Sequence, residues 1–186
     1  MRGVSVFMAA LYDAGRGRAT PGLDQTYPIP QFGGMNDAQM EPMLRALAEA
    51  EAAQGRAEVP VGAVLVDAAS GQVVAADGNR IVQLNDPTAH AEMLVIRRAG
   101  EIKGAPRLTD CDLYVSLEPC PMCAAAISLA RIRRLYFGAY DAKGGGVEHG
   151  PRIFGQPTCH HAPEVYGGIE EAAAAKLLKD FFSQRR

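Results

Sequence analysis

Cys120 and Cys123 lie shortly after an apolar stretch of the chain. Their position predicts which strand precedes them and which helix follows. Residues 113–117 predict a buried strand, and Glu118-Pro119 ends it. A helix is then predicted over residues 121–130. Both cysteines therefore lie at a helix start, where free N–H groups and the helix dipole favour thiolates. Two thiolates at this spacing bind one metal ion readily.

The cysteine pair alone leaves a redox dithiol open, because disulfide oxidoreductases also place Cys-x-x-Cys at a helix start after a strand. The presence of His90 favours a metal site over a redox dithiol. A helix is predicted over residues 88–99 with Thr88 as its N-cap, which puts His90 in the opening turn. Helices that begin at one sheet edge bring their N-termini together. One imidazole and two thiolates leave a fourth tetrahedral position for water, the mark of a catalytic zinc.

Glu92 is predicted to lie beside the metal without binding it, since two residues turn it about 200° from His90 on a regular helix. Zinc lowers the pKa of bound water toward neutrality. A carboxylate at that place can accept the proton and return it to a ring nitrogen and a leaving amine. A Glu in isolation is usually a solvated residue of a helix face. The combination of His-x-Glu with a later Pro-Cys-x-x-Cys is far more specific than either half.

The remaining patterns predict one α/β domain with a three-layer α/β/α architecture and a five-stranded, mixed or mostly parallel sheet. A helix over residues 40–55 has Pro42 in its first turn, and the last helix, over residues 170–184, is expected to bury Leu177, Leu178, Phe181 and Phe182. Residues 78–87 are predicted to be a loop. The other strands are predicted over residues 61–66, 72–76, 134–137 and 165–166.

The composition limits which binding partners and which cellular compartment the protein is expected to have. The net charge of −2 argues against a protein that coats nucleic acid non-specifically, although it leaves a local basic rim open. No apolar run approaches the ~20 residues of a membrane-spanning helix. With no convincing signal peptide, the cysteine pair favours the reducing cytoplasm. Residues 1–36 are rich in Gly and Pro, and we expect a disordered extension before a domain over residues 37–186, with Met35 as a second candidate start.

Together these motifs resemble the bacterial tRNA-specific adenosine deaminases, in the cytidine deaminase-like superfamily of zinc deaminases. The resemblance runs from about Met40 to the C-terminus. Its segments are residues 59–64 (VPVGAV), 78–80 (GNR), 85–92 (NDPTAHAE), 113–123 (LYVSLEPCPMC), 130–132 (ARI), 138–145 (GAYDAKGG) and 180–182 (DFF). Two departures stand out: the first 36 or so residues have no counterpart, and His160 precedes His161 where many relatives carry Asn-His.

The resemblance implies a cytidine deaminase-like fold and a cytoplasmic homodimer that converts the wobble adenosine of a tRNA anticodon stem-loop to inosine. It implies one Zn²⁺ per chain, no organic cofactor and no membrane. By the same resemblance His90, Cys120 and Cys123 are the zinc ligands and Glu92 is the proton shuttle.

The resemblance also implies the contacts to the substrate. Asn79 would hydrogen-bond the flipped base, Val61 would line its pocket, and the Ala91 amide would touch its ring. Asp141 and Lys143 would lie in a loop beside the RNA. Apart from the resemblance, seven basic residues of the sequence are candidates for the rim that an RNA loop needs: Arg131, Arg133, Arg134, Lys143, Arg152, Arg185 and Arg186.

Three alternatives stay open. A deaminase of a free nucleobase or nucleoside, of the guanine or cytosine type, would share the zinc chemistry. A thiol oxidoreductase would use Cys120 and Cys123, and a non-catalytic zinc module would need a fourth ligand. Cys159-His160-His161 offers a second metal site but no partner at ligand spacing. Cys111 is predicted to be a small core residue.

Overall fold

The structure is a computed structural model that describes residues 37–185. The predicted N-terminal extension lies outside the described residues. The strands are β1 (Gly62–Asp67), β2 (Val73–Gly78), β3 (Cys111–Leu117), β4 (Arg134–Ala139) and β5 (Glu164–Tyr166). The helices are α1 (Asp37–Gly55), α2 (Ile81–Leu84), α3 (Ala91–Lys103), α4 (Pro121–Ala130) and α5 (Glu171–Ser183), with a 3₁₀ turn at Ile153–Gly155.

The five strands form one sheet in the order β2-β1-β3-β4-β5. β1 pairs antiparallel with both β2 and β3, whereas β3, β4 and β5 run parallel to one another. The predicted α/β fold with five strands is confirmed, and its sheet is mixed. Because β3 and β4 are parallel, they end at the same edge of the sheet, and the segment that carries Cys120 leaves from that edge.

Both faces of the central strands are buried, because helices cover both sides of the sheet. Alternate residues such as Val64 and Tyr136 pack beneath α1 with Met43. Their neighbours, such as Leu65, pack on the opposite face with residues of α3 and α4. The central strands therefore read as nearly continuous apolar runs, as expected for doubly covered strands. Cys111 is fully buried in the second of these clusters, which confirms its predicted place in the core.

Two helix starts differ from the prediction. α3 begins at Ala91 with His90 as its N-cap, and the prediction of Thr88 as the cap is wrong. The Thr88 hydroxyl and N–H both donate to Asp86 Oδ1, at 2.7 and 2.8 Å, so Thr88 belongs to the preceding turn. α1 begins at Asp37, which moves Pro42 into its second turn. The first residues of α1 show no helical spacing of apolar side chains. The start of this helix was therefore predicted too late in the sequence.

Two other predictions are corrected. Residues 78–87 are not wholly a loop, because they contain α2, which is too short to show a helical period. Phe182 is 52% exposed and not buried, whereas Phe181 is buried and Leu177 and Leu178 are half-buried. Only a narrow row of residues along α5 packs against the rest of the domain. On a helix each residue is rotated by about 100° from the one before, so Phe182 points away from the side that buries Phe181. In the described part of the chain, no helix is both long enough and apolar enough to cross a membrane.

Candidate active site

Two helix N-termini meet beside the edge at which β3 ends. His90 is the N-cap of α3 and Cys120 is the N-cap of α4, and both have extended backbones with φ, ψ of −72°, 150° and −67°, 169°. Neither side chain makes a capping hydrogen bond to its own helix. Side chains at N-caps usually accept a bond from the first turn. These two are therefore available to bind something else, next to the positive ends of two helix dipoles.

Cys123 joins this pair from the first turn of α4. His90 Nδ1 lies 3.7 Å from Cys120 Sγ and 3.6 Å from Cys123 Sγ. A tetrahedral zinc with ordinary Zn–N and Zn–S bonds would separate the nitrogen and sulfur atoms by roughly 3.6 Å. Within residues 37–185, this is the one group of three or more His, Cys, Asp or Glu side chains whose ligand atoms lie close enough to hold a metal ion. The donor set and its spacing fit zinc.

The two thiols have opposite pKa shifts. The hydrogen bond with Cys123 lowers the pKa of Cys120 to about 4. The same hydrogen bond, together with burial, raises the pKa of Cys123. A hydrogen bond to Cys120 also raises the pKa of His90. One sulfur is thus a thiolate at neutral pH, and the second thiol must release its proton when a metal binds, since thiolates are the ligating form.

Glu92 lies in the first turn of α3 and is 3% exposed. Its Oε2 atom is buried and has no hydrogen-bond partner within the described residues. Burial raises the pKa of Glu92, while its contacts with His90 and Cys123 act in the opposite direction. The structure therefore brings Glu92 to the cluster but leaves it out of the group of candidate ligands. A buried carboxylate oxygen without a partner is rare in folded proteins and marks a position that calls for a function.

Asn79 connects the residues expected around the substrate. Its Oδ1 accepts a hydrogen bond from the Ala91 N–H at 2.9 Å, and its own N–H donates to the carbonyl of Val61 at 2.9 Å. All three residues are buried. The Ala91 amide is thus paired within the protein. Sequence reasoning missed this bond, although the first N–H group of a helix has no partner inside the helix and needs an acceptor outside it.

The loop after β4 carries the other two predicted residues. Asp141 Oδ1 accepts hydrogen bonds from the backbone N–H groups of Lys143 at 3.0 Å and Gly144 at 2.9 Å. These three residues line a groove together with Phe182 and Arg185 of the C-terminal segment. The exposed ring of Phe182 was missed as a candidate because its place in the apolar period of α5 predicted burial.

Glu118 is a second residue that sequence reasoning missed. Its side chain is fully buried, and Oε1 accepts the N–H groups of Val147, Glu148 and His149 at 3.2, 2.9 and 2.9 Å. Oε2 accepts the N–H of Asp141 at 3.0 Å and lies 2.7 Å from His149 Nδ1. Burial alone would raise the pKa of Glu118, but the N–H groups of His149 and Asp141 outweigh it and lower that pKa overall.

The predicted basic rim is not one patch. Arg133 forms a bidentate pair with Asp112, at 2.8 and 2.6 Å, and Arg134 pairs with Glu164 at 2.7 Å. Both arginines lie where β4 begins, at the sheet edge opposite to the cysteines, so their place in the rim is corrected. Arg131 and Arg152 donate to the carbonyls of His160 and Glu148, and Arg186 lies outside the described residues.

Cys159-His160-His161 is held by the protein itself. The Cys159 thiol lies 3.3 Å from Ser128 Oγ and donates to the carbonyl of His161 at 3.1 Å. His161 Nε2 lies 2.6 Å from the carbonyl of Ile132. These bonds attach the segment to the end of α4, and no described side chain completes a second metal site there.

Comparisons with known proteins agree with this geometry. Residues 37–139 match the family described as the cytidine and deoxycytidylate deaminase zinc-binding region. The chain is 61% identical over 141 residues to the tRNA-specific adenosine deaminase of Agrobacterium fabrum, covering 76% of this chain and 91% of that relative. It is 40% identical to the tRNA-specific adenosine deaminase of Bacillus subtilis, covering 77% and 88%.

Solved structures of deaminases also align with this chain. A tRNA:A34 deaminase, studied for A-to-I editing at the wobble position, aligns with a TM-score of 0.72 and 61% identity over 74% of this chain and 99% of its own. The guanine deaminase of Bacillus subtilis aligns with a TM-score of 0.53 and 40% identity over 57% of this chain and 66% of its own. This chain belongs to the cytidine and deoxycytidylate deaminase family and, within it, to the tRNA-specific adenosine deaminases.

Proposed function

We propose that this protein deaminates the wobble adenosine of a tRNA anticodon stem-loop, which takes up water, releases ammonia and leaves inosine in the RNA chain. One observation carries the proposal: His90, Cys120 and Cys123 converge at the spacing of a tetrahedral zinc site while Glu92 is buried beside them without being part of the group. The 61% identity over 91% of the length of a tRNA-specific adenosine deaminase supports the choice of substrate.

In this proposal His90 Nδ1 and the two cysteine sulfurs hold one zinc ion per chain, and no organic cofactor is needed. When bound, zinc supplies Lewis-acid activation of the attacking water. Glu92 accepts a proton at its carboxylate and returns protons to the adenine ring nitrogen and the leaving amine. Its raised pKa suits both roles, because a carboxyl group that titrates nearer neutrality exchanges protons in both directions more readily.

The pocket of the target base is proposed to include Asn79, Val61 and Ala91. The Asn79 oxygen is occupied by the Ala91 N–H, which leaves the NH₂ group of Asn79 as the part that can donate to the base. Val61 supplies an apolar wall, and the Ala91 backbone lies against the ring. A base in a hairpin loop is already partly unstacked, so turning it into such a pocket costs less than extracting it from a duplex.

The groove beside Asp141 is proposed to receive nucleotides next to the target. The ring of Phe182 is 52% exposed there and offers a stacking surface for an unpaired base. Lys143 of the same groove is suited to the phosphates, whereas the Arg185 guanidinium donates to the Ala57 carbonyl at 2.8 Å and lies over the Phe181 ring. Because the net charge is −2, we expect a local basic surface and not the whole chain to meet the phosphates, so binding should be moderate and should weaken with salt.

Two further parts of the proposal concern assembly and compartment. Val82 and Leu84 of α2 and Leu129 of α4 are 67%, 51% and 73% exposed, and large exposed apolar side chains are candidates for a protein interface. We propose that a second copy of the chain covers them in a homodimer, which sedimentation analysis would test. The reduced cysteines and the tRNA substrate are consistent with a cytoplasmic protein.

Metal content tests the zinc site. Protein purified without added metal should contain about one equivalent of zinc, because three ligands and water complete one tetrahedral site. Cys123→Ser should lose most of that zinc, while Cys159→Ser should retain it, since Cys159 lies outside the cluster. A metal-free protein with a disulfide between Cys120 and Cys123 would instead support the thiol oxidoreductase.

Substrate comparison tests the RNA assignment. We expect an anticodon stem-loop with wobble adenosine to be converted to inosine, and the same loop with cytidine to remain unchanged. The resemblance to a guanine deaminase makes free guanine the most informative competitor, followed by free cytosine and the nucleosides. Turnover of a free base at rates comparable to the stem-loop would contradict the RNA assignment and leave the zinc chemistry standing.

A further inference from the structure

Glu118 links the segment that carries Cys120 to the glycine-rich loop over residues 141–149. We infer that Glu118 is a positioning residue, which fixes Asp141 and Lys143 of this loop relative to the metal centre so that they are preorganised for RNA. This inference rests on the function proposed above. It adds a role for a side chain that lies two residues before Cys120 and is wholly covered by protein.

Few side chains other than a carboxylate could accept all the hydrogen bonds that Glu118 accepts. Four backbone N–H groups, from Asp141, Val147, Glu148 and His149, converge on its two oxygens, and the imidazole of His149 lies against one of them. An ionised carboxylate can accept about four bonds, whereas an amide can accept only through its single oxygen. An N–H group that loses its acceptor and is not reached by water destabilises the fold.

The loop also rests directly on the metal-binding segment. The Gly146 N–H donates to the carbonyl of Pro119 at 2.8 Å, and a Cβ atom at Gly146 would lie 2.6 Å from the nitrogen of Pro121. A Cβ atom at Gly145 would lie 2.4 Å from Glu118 Oε1. Both positions therefore require glycine. Such a loop has high conformational freedom of its own, and the Glu118 carboxylate accepts four of the backbone hydrogen bonds that order it.

Asp141 and Lys143 depend on this order. The Asp141 carboxylate holds the N–H groups of Lys143 and Gly144, so the direction of the Lys143 backbone follows from that of Asp141. The Asp141 N–H is in turn fixed by Glu118. A loop that is ordered before binding spends less binding energy on its own immobilisation. Loss of Glu118 should therefore weaken RNA binding more than it slows the chemical step.

The test uses the full-length zinc protein and the Glu118→Gln variant. We expect zinc content near one equivalent, a rise of about tenfold or more in KM for the stem-loop, and a change in kcat of less than about threefold. In the absence of RNA, backbone amides of residues 141–149 should exchange with deuterium faster, while those of α4 keep their protection. Asp112→Asn is the matched control, since it alters a buried carboxylate at the opposite end of β3.

A second variant covers the case in which Glu118→Gln does not fold. His149→Ala keeps the carboxylate and changes a side chain that is 37% exposed, and it should raise KM and loop exchange in the same direction by less. In a Lys143→Ala background the KM effect of His149→Ala should shrink, because both substitutions act through one loop.

Unchanged KM and unchanged loop exchange in these variants would overturn the inference, as would a loss of zinc or a uniform rise in exchange equal to that of Asp112→Asn. A wild-type protein that leaves the stem-loop unmodified would contradict the proposed function instead. The exchange measurement would then still decide whether Glu118 orders the loop.

Discussion

Replacing Glu92 by Gln alters one atom of a side chain that is 3% exposed and retains its volume. The variant can neither accept nor return a proton. A positioned general acid–base contributes typically about 10²–10⁴-fold to the rate, which corresponds to roughly 3–5 kcal/mol of transition-state stabilisation. Because one carboxylate serves several proton transfers in the proposed reaction, we expect the loss of kcat to lie at the upper end of that range.

Stability should respond very differently. Oε2 of Glu92 has no partner within the described residues, and burial raises the pKa of the group, so its charged form is disfavoured in the fold. The neutral amide removes that penalty. It also loses a favourable interaction with the N-terminus of α3, about 0.3–1 kcal/mol. The two effects oppose each other, so we expect the Tm to change by no more than a few degrees.

The assay is inosine formation under single-turnover conditions, with zinc content and a thermal melt measured on the same sample. Glu101→Gln is the matched control, since Glu101 is an exposed residue of the same helix and should change neither turnover nor metal. Loss of zinc in Glu92→Gln would make Glu92 a ligand. Retention of more than about a tenth of wild-type kcat would remove it from the proton transfers.

Three other expectations follow from the geometry. In a pH profile of kcat/KM, activity should fall on the acid side at a pH above the ordinary glutamate value of 4.5, because burial raises the pKa of Glu92 and the protonated form cannot act as a base. Phe182→Ala should raise KM for the stem-loop several-fold, unlike the control Ile102→Ala, which alters another exposed apolar residue. Asn79→Asp, which keeps the acceptor for Ala91 N–H, should lose turnover but melt near wild type, whereas Asn79→Ala should also lose about 1 kcal/mol of stability.

Much of the fold was predictable from the sequence. The central strands are covered by helices on both faces, so they appear in the sequence as continuous apolar runs. Residues 61–66 and 113–117 were assigned nearly to their observed bounds, and the parallel pairing of β3 with β4 follows from the helix between them. The cluster of His90, Cys120 and Cys123 was predictable for a related reason, since each candidate ligand follows a break that starts a helix. What the sequence could not give was the exact start of α3, where Asp86 engages Thr88 and shifts the cap to His90.

The contacts that sequence reasoning missed span long distances in the chain. Glu118 is 23 to 31 residues from the groups that it binds, and Asn79 is 12 residues from Ala91. In the sequence Glu118 is only a polar residue that ends a strand, and no local period distinguishes a buried carboxylate from an exposed one. Its partners are backbone N–H groups, which every residue except proline carries, so the pattern of side chains does not reveal them.

The two helix N-termini show how the fold provides for its site. Each N-cap side chain is diverted from its own helix, and a lost cap costs typically about 1 kcal/mol. In α3 Asn79 accepts the N–H of the first helical residue, Ala91, from outside the helix. In α4 the first position is Pro121, which has no N–H to satisfy. In both helices the first position therefore leaves no free N–H, while the side chains of His90 and Cys120 face each other in the candidate metal centre.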